Sequence, residues 1–140
     1  AIGIVVDITA RREAERALRD SEEQLRQAAG LAGLVSGELD LVSGEVSGGD
    51  GLAAFLGIAA LPRRASLTAI LQLVHADDRA ETARRMTAAL DPAGDGRFTA
   101  EHRFVLRPGD ARWHQVRGQV RFEGEGAARR AVRFLFTALD

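Results

Sequence analysis

Cysteine is absent from the 140 residues, which excludes disulfides, thiolate metal sites and cysteine nucleophiles. Tyrosine is also absent and tryptophan occurs once, so few rings are on hand to stack a planar cofactor. Lysine is missing as well: all 19 basic residues are Arg, which reads as a coding bias rather than as phosphate recognition. An excess of one charge is lacking too. Nineteen basic residues face 20 acidic ones, and a net charge of -1 sets up no bulk field for nucleic acid or an anionic membrane. No apolar run approaches the ~20 residues that span a bilayer. The segment therefore reads as soluble and cytoplasmic, with no membrane insertion of its own and any anchor elsewhere in a parent chain.

What the chain does have is a near-repeat of its own ending. Ala1–Asp7 reads AIGIVVD and Phe134–Asp140 reads FLFTALD, each an apolar, strand-like run closed by an acid. This is the pattern of a piece of a modular protein. Residues 1–8 read as the exit strand of an upstream domain, 9–32 as a connecting helix and 33–140 as the next domain.

The connector is rich in Ala, Arg, Glu and Leu and free of Pro, with Thr9 placed to cap its start. Small or apolar residues at Ala14, Leu18, Ser21, Leu25, Ala28 and Ala32 are spaced 4, 3, 4, 3, 4. That spacing makes a heptad seam, and it predicts a homodimer through a weak two-helix coiled coil. The alternative is a solitary amphipathic helix lying on its own domain. Ser21–Gln24 also fits a capping box, so a break is expected there. Arg11, Arg12, Arg16, Arg19 and Arg26 alternate with acids, which argues against a nucleic-acid stripe.

After the connector the period shortens. Strands are expected at Val35–Leu41 and Gly44–Gly48, then a short helix Gly51–Leu56 capped by Asp50. Helical spacing follows at Ala65–Val74 and Arg79–Leu90, the second with Asp78 at its cap and Ala80, Ala83, Met86 and Leu90 on its inner face. Alternation then marks a strand at Phe98–Leu106, and turns at Pro108–Asp110 and Glu123–Ala127 lead to two more, Arg112–Phe122 and Arg129–Leu139. Two strands, several short helices and three long strands make an α+β layout.

Four short motifs in this order resemble the PAS domain, in the variant common in bacterial sensor histidine kinases. Val74-His75-Ala76-Asp77-Asp78-Arg79 is similar to that family's V-H-P-D-D-R, with Ala76 in place of Pro. Glu101-His102-Arg103 is similar to E-Y-R, Arg112-Trp113 to R-W, and Asp7-Ile8-Thr9 to the D-I-T that ends such domains. The resemblance implies a five-stranded antiparallel sheet flanked by short helices and preceded by a long N-terminal helix. It implies a regulatory, non-enzymatic module of a two-component histidine kinase, coupled to neighbouring domains through Asp7, Thr9 and Asp140. The alternative is a module of a diguanylate cyclase or other regulator that only dimerises, without ligand.

The chain also departs from the family. Many relatives carry W-x-W-D-x-x-x-G on the first strands, where this chain has Gly37-Glu38-Leu39-Asp40-Leu41-Val42-Ser43-Gly44, and Gly48 stands where a further aromatic is common. Either other side chains collapse into that space or it is a ligand pocket. No cofactor is expected, although a small non-covalent ligand stays open, with His102, Phe104, Trp113 and Leu39 as pocket candidates. His75, His102 and His114 lack metal-ligand spacing, and no metal site is expected. Asp77 and Asp78 read as helix caps rather than as an acid–base pair, and Glu101 and Arg103 as cross-strand ion-pair partners with Arg112 nearby. No nucleophile stands beside a base, so no catalytic residue is assigned.

Overall fold

The structure, a computed structural model, describes residues 8–49 and 51–140. The described residues divide into two compact units between Ala32 and Gly33. The expectations for Asp7 and Asp50 lie outside the described residues.

The first unit is one helix, α1, Thr9–Leu31. Two expectations for it are corrected. Ile8, not Thr9, occupies the N-cap position, with no side-chain cap bond; Thr9 is already the first helical residue. The helix also runs unbroken through Ser21–Gln24, because strong helix formers on both sides outweigh a local capping alternative. Arg11–Glu15 and Arg26–Glu23 pair along its surface at 3.1 and 3.3 Å, each adding a few tenths of a kcal/mol at most. Leu18 and Leu25 stand 61% and 68% exposed, large values for two leucines on one helix face.

The second unit is an antiparallel sheet of five strands with helices on one face. Its elements are β1 (Leu34–Asp40), β2 (Val46–Gly48), α2 (Leu52–Phe55), α3 (Leu67–Gln72), α4 (Ala76–Leu90), β3 (Arg97–Arg107), β4 (Asp110–Glu123) and β5 (Arg130–Leu139). The strand order is β2-β1-β5-β4-β3, which puts the last strand in the middle, bonded to β1 on one side and β4 on the other. The fold class is as expected. Several elements are shorter than expected: β2 starts at Val46, and α3 runs only between Ser66, whose hydroxyl accepts from the Ala69 N–H, and Leu73.

The core lies between the sheet and α4. Leu39, Met86, Ala89, Phe98, Ala100, Val116, Val120, Phe134 and Ala138 are buried there, and Phe98 meets Phe134 edge-on at 5.6 Å. The buried residues of α4 are Thr82, Met86 and Ala89, with Leu90 packed partly buried against the core; Met86 and Leu90 lie inward as expected, Ala83 is half-buried and Ala80 is exposed. Alanine is tolerated on either face of a helix, so a line drawn through alanines has an uncertain phase.

The positions without tryptophan are filled. A Cβ on Gly37 would run into the Phe136 ring and Leu52, and one on Gly48 into Leu52 and Leu61. Gly37 pairs with Phe136 across β1 and β5. The large side chains of β5 and α2 thus occupy the space left on β1 and β2, which is the collapse alternative.

Candidate functional site

The start of α4 and the outer edge of β3 form one assembly. His75 is the N-cap residue, and its Nδ1 accepts from the Asp77 N–H at 3.1 Å. Asp78, expected to cap, lies inside the first turn and turns to the sheet instead. Its carboxylate accepts from the Arg103 backbone N–H, Nε and Nη2 at 3.0, 2.9 and 3.0 Å. Arg103 sits on an edge strand, so its peptide groups have no strand partner on that side. Asp78 takes its N–H, and its carbonyl accepts from the His75 N–H at 2.7 Å. Those hydrogen bonds to Arg103 hold the Asp78 carboxyl down at about 2.

Beyond the carboxylate, the Arg103 guanidinium lies 5.0 Å over the Trp113 ring. Arg103 and Trp113 are cross-strand partners on the sheet face away from the helices. The expected cross-strand ion pairing of Glu101 and Arg103 with Arg112 is not what forms: Asp78 takes Arg103, and Arg112 meets Asp110 at 3.5 Å.

On the inner face, His102 and His114 are direct partners across β3 and β4, and both are buried. The Thr82 hydroxyl donates to the Asp78 carbonyl at 2.9 Å and stands 3.3 Å from His102 Nδ1. A hydroxyl has one proton to give, so Nδ1 must be the donor to Thr82, and His102 Nε2 is left as a bare acceptor. That atom and both ring nitrogens of His114 are buried without a hydrogen-bond partner. Their environment is aromatic: Phe55 lies 4.4 Å and Phe104 5.1 Å from the His114 ring, and Phe104 meets His102 at 4.8 Å. Burial pushes His102 down to about 4, helped by its neighbour His114. Burial also lowers His114, where Asp140 opposes the shift and Arg112 adds to it.

A cavity of about 110 Å³ adjoins His114. Phe55, Phe104 and Leu106 are its apolar walls, and the exposed Arg107, Asp110 and Arg112 line it as well.

The structure brings together two of the four pocket candidates, His102 and Phe104. Leu39 is core-buried at 2% exposure, and Trp113, at 57%, points to the other side of the sheet. The sequence reading missed His114 and Phe55. Strict alternation from Val116 and Val120 would have placed His114 inward and Trp113 outward. Asp140 follows β5, where Leu139 pairs with Gln115, the residue next to His114. The seam residues Ala14, Leu18, Ser21, Leu25 and Ala28 all lie exposed on α1. Among the described residues, no helix is long and apolar enough to cross a membrane.

Three comparisons bear on this arrangement. A family model described as PAS fold matches residues 56–135. No curated protein matches the chain. Among solved structures, a sensory box histidine kinase/response regulator from Burkholderia thailandensis E264 is similar with a TM-score of 0.64 at 23% identity, over 84% of this chain and 83% of that one. A histidine kinase domain from Haloarcula marismortui is similar at 0.60 and 18% identity, over 84% and 97%. The N-terminal domain of a diguanylate cyclase with PAS/PAC sensor from Marinobacter aquaeolei reaches 0.50 at 14% identity, over 76% and 94%. Identities this low speak for a shared fold.

Proposed function

The chain belongs to the PAS fold family, and on that footing we propose that it is a cytoplasmic signal-sensing and relay module of a bacterial sensor histidine kinase. In this reading, residues 1–8 close an upstream domain, 9–32 form the signalling helix and 33–140 the sensor. Two copies meet along Ala14, Leu18, Ser21, Leu25 and Ala28. Occupation of the inner face near His114, or pressure from a neighbouring domain, alters strand β5, which hands the change on through Asp140. Asp7 and Thr9 do the same for the domain before. The module performs no chemistry of its own.

The observation that carries the reading is the register of β4 against β5. Gln115 pairs with Leu139 and Val116 with Ala138, so the buried ring of His114 lies next to the end of the last strand. A disturbance at the ring has a path of one strand pairing to that end. The test is the autophosphorylation rate of the parent kinase carrying Phe136→Leu in β5. A severalfold change with the domain still folded is expected, and an unchanged rate overturns the relay.

The second reading is a module of a diguanylate cyclase that dimerises without ligand. It is favoured by the collapse of Phe136 and Leu52 into the space at Gly37 and Gly48. A parent whose output is nucleotide cyclisation decides for it.

A further inference from the structure

We propose that Ser66 is a phosphorylation site for a Ser/Thr protein kinase that reads a pair of arginines just ahead of its acceptor hydroxyl. The proposal is independent of the relay reading above and names a covalent input to the domain.

The sequence writes Arg-Arg-x-Ser/Thr twice, as Arg63-Arg64-Ala65-Ser66 and as Arg84-Arg85-Met86-Thr87. Folding separates the two. Arg84 and Arg85 are both tied to Glu81, and Arg85 also reaches the Thr99 carbonyl. Met86 is buried, and the Thr87 hydroxyl gives its proton to the Ala83 carbonyl at 2.9 Å. The second copy is thus consumed by α4 and its neighbours. In the first copy Arg63, Arg64 and Ser66 are all exposed. Among the described residues neither arginine closes an ion pair; Glu45 stands across a β-bridge from Arg64 without reaching it. Ser66 Oγ accepts from the Ala69 N–H at 3.1 Å and donates to nothing among the described residues, so its proton is free to leave.

Backbone shape points the same way. The segment is extended: the Arg63 carbonyl accepts from the Val46 N–H at 3.0 Å, the Ala65 N–H donates to the Gly44 carbonyl at 2.9 Å, and Ser66 has φ -104° and ψ 156°. At about 3.3 Å per residue, an extended chain sets Arg64 roughly 7 Å and Arg63 roughly 10 Å from the acceptor. Acidic side chains of a kinase can hold both guanidiniums at that range while the hydroxyl meets ATP. The Oγ attacks the γ-phosphorus as the bond to the β–γ bridging oxygen breaks; the hydroxyl proton passes to the kinase's carboxylate base, and ADP leaves. Arg64 and Ser66 share one face of the extended chain, so the new phosphate, with nearly two negative charges, lies beside a guanidinium that has no other partner. The modified residue opens α3, which sends Leu67 and Ile70 against the core and whose C-cap residue Leu73 accepts from the Val105 N–H of β3 at 2.7 Å.

The experiment incubates the 140-residue chain with magnesium ATP and an arginine-directed kinase, the catalytic subunit of the cyclic-AMP-dependent enzyme, and maps the phosphate by mass spectrometry. One phosphate per chain is expected, on Ser66 and not on Thr87. The double variant Arg63→Ala/Arg64→Ala should lower the initial rate at Ser66 by roughly tenfold or more, since two charge-assisted contacts to the kinase are lost. An acid-directed kinase run alongside should leave Ser66 bare. No phosphate at Ser66, transfer to Thr87 at a comparable rate, a rate indifferent to the two arginines, or equal transfer by the acid-directed kinase overturns the proposal. The wild-type site map decides by itself should the variant fold poorly. Failure here leaves the relay intact, since Phe136→Leu tests it without any modification.

Discussion

Asp78 holds Arg103 at three points, the side-chain Nε and Nη2 and the backbone N–H. The backbone contact makes the pair unequal. Asp78→Ala strips both the guanidinium and the edge-strand peptide of their acceptor, whereas Arg103→Ala leaves the hydrogen bond from the residue 103 N–H to the Asp78 carboxylate in place. Urea denaturation should therefore show Asp78→Ala as the costlier change, by roughly 2 kcal/mol against wild type. The double variant should depart from additivity by more than the ~0.5 kcal/mol scatter of independent sites. Additive losses, or the reverse order, contradict this account of the edge.

Ala76 stands where the family has Pro, at the first residue of α4. Proline suits that position because its N–H has no partner within the helix. The residue before it already has φ -51° and ψ 141°, the extended backbone that a following proline requires. Ala76→Pro should raise stability by up to about 1 kcal/mol through the unfolded chain. A fall in the thermal midpoint would show that the first turn has a different shape.

Stability should drop on the acid side in two stages. His102 titrates at about 4 in the folded protein against an ordinary 6.5, so the unfolded chain binds the proton first. Its contribution is complete above pH 6.5 and is lost as pH falls towards 4, by an amount of order 3 kcal/mol. His114, lowered in the same direction, adds to that stage. Asp78, held at about 2 against 3.8, adds a second loss below pH 3.8 of at most about 2 kcal/mol, less where water screens it. Urea midpoints at pH 7.5, 5.5 and 4.5 should fall steadily for wild type and less steeply for His102→Phe. A flat wild-type profile down to pH 4.5 would show that the rings are not sealed from water.

Gly118 and Gly37 lie under aromatic rings. A Cβ at Gly118 would enter the Phe134 ring, and one at Gly37 the Phe136 ring. Either Gly→Ala change should destabilise by about 1–3 kcal/mol, the range for overpacking. Gly30, in α1, has nothing within 4 Å of a built Cβ, and Gly30→Ala should strengthen that helix by up to about 1 kcal/mol. Calorimetry of the three variants checks the contrast; a neutral Gly118→Ala would mean that Phe134 moves aside freely.

Much of the fold was legible because β3 alternates cleanly over Arg97–His102, turn residues separate the last three strands, and α1 and α4 carry unbroken helical composition. The site was less so, for physical reasons. Asp78 followed three residues on by Glu81 reads as a helix start wherever it occurs, and nothing local announces that an edge strand 25 residues later needs the carboxylate. Phe136 fills the space at Gly37 from the far end of the chain, a contact created only by β5 entering between β1 and β4. Trp113 was drawn into the pocket by chemistry, whereas strand parity sends it outward with Arg103. His114 was passed over because no metal spacing marked it, although its neighbours' alternation did.

The relay claim is tested most directly by residue-resolved amide hydrogen exchange on wild type and His114→Phe. The account predicts altered protection concentrated at Gln115, Ala138 and Leu139, with the β1–β2 pairing at Glu38 and Ser47 unchanged. Changes confined to the β3–β4 hairpin, or a uniform shift across the sheet that reports only global stability, would contradict it.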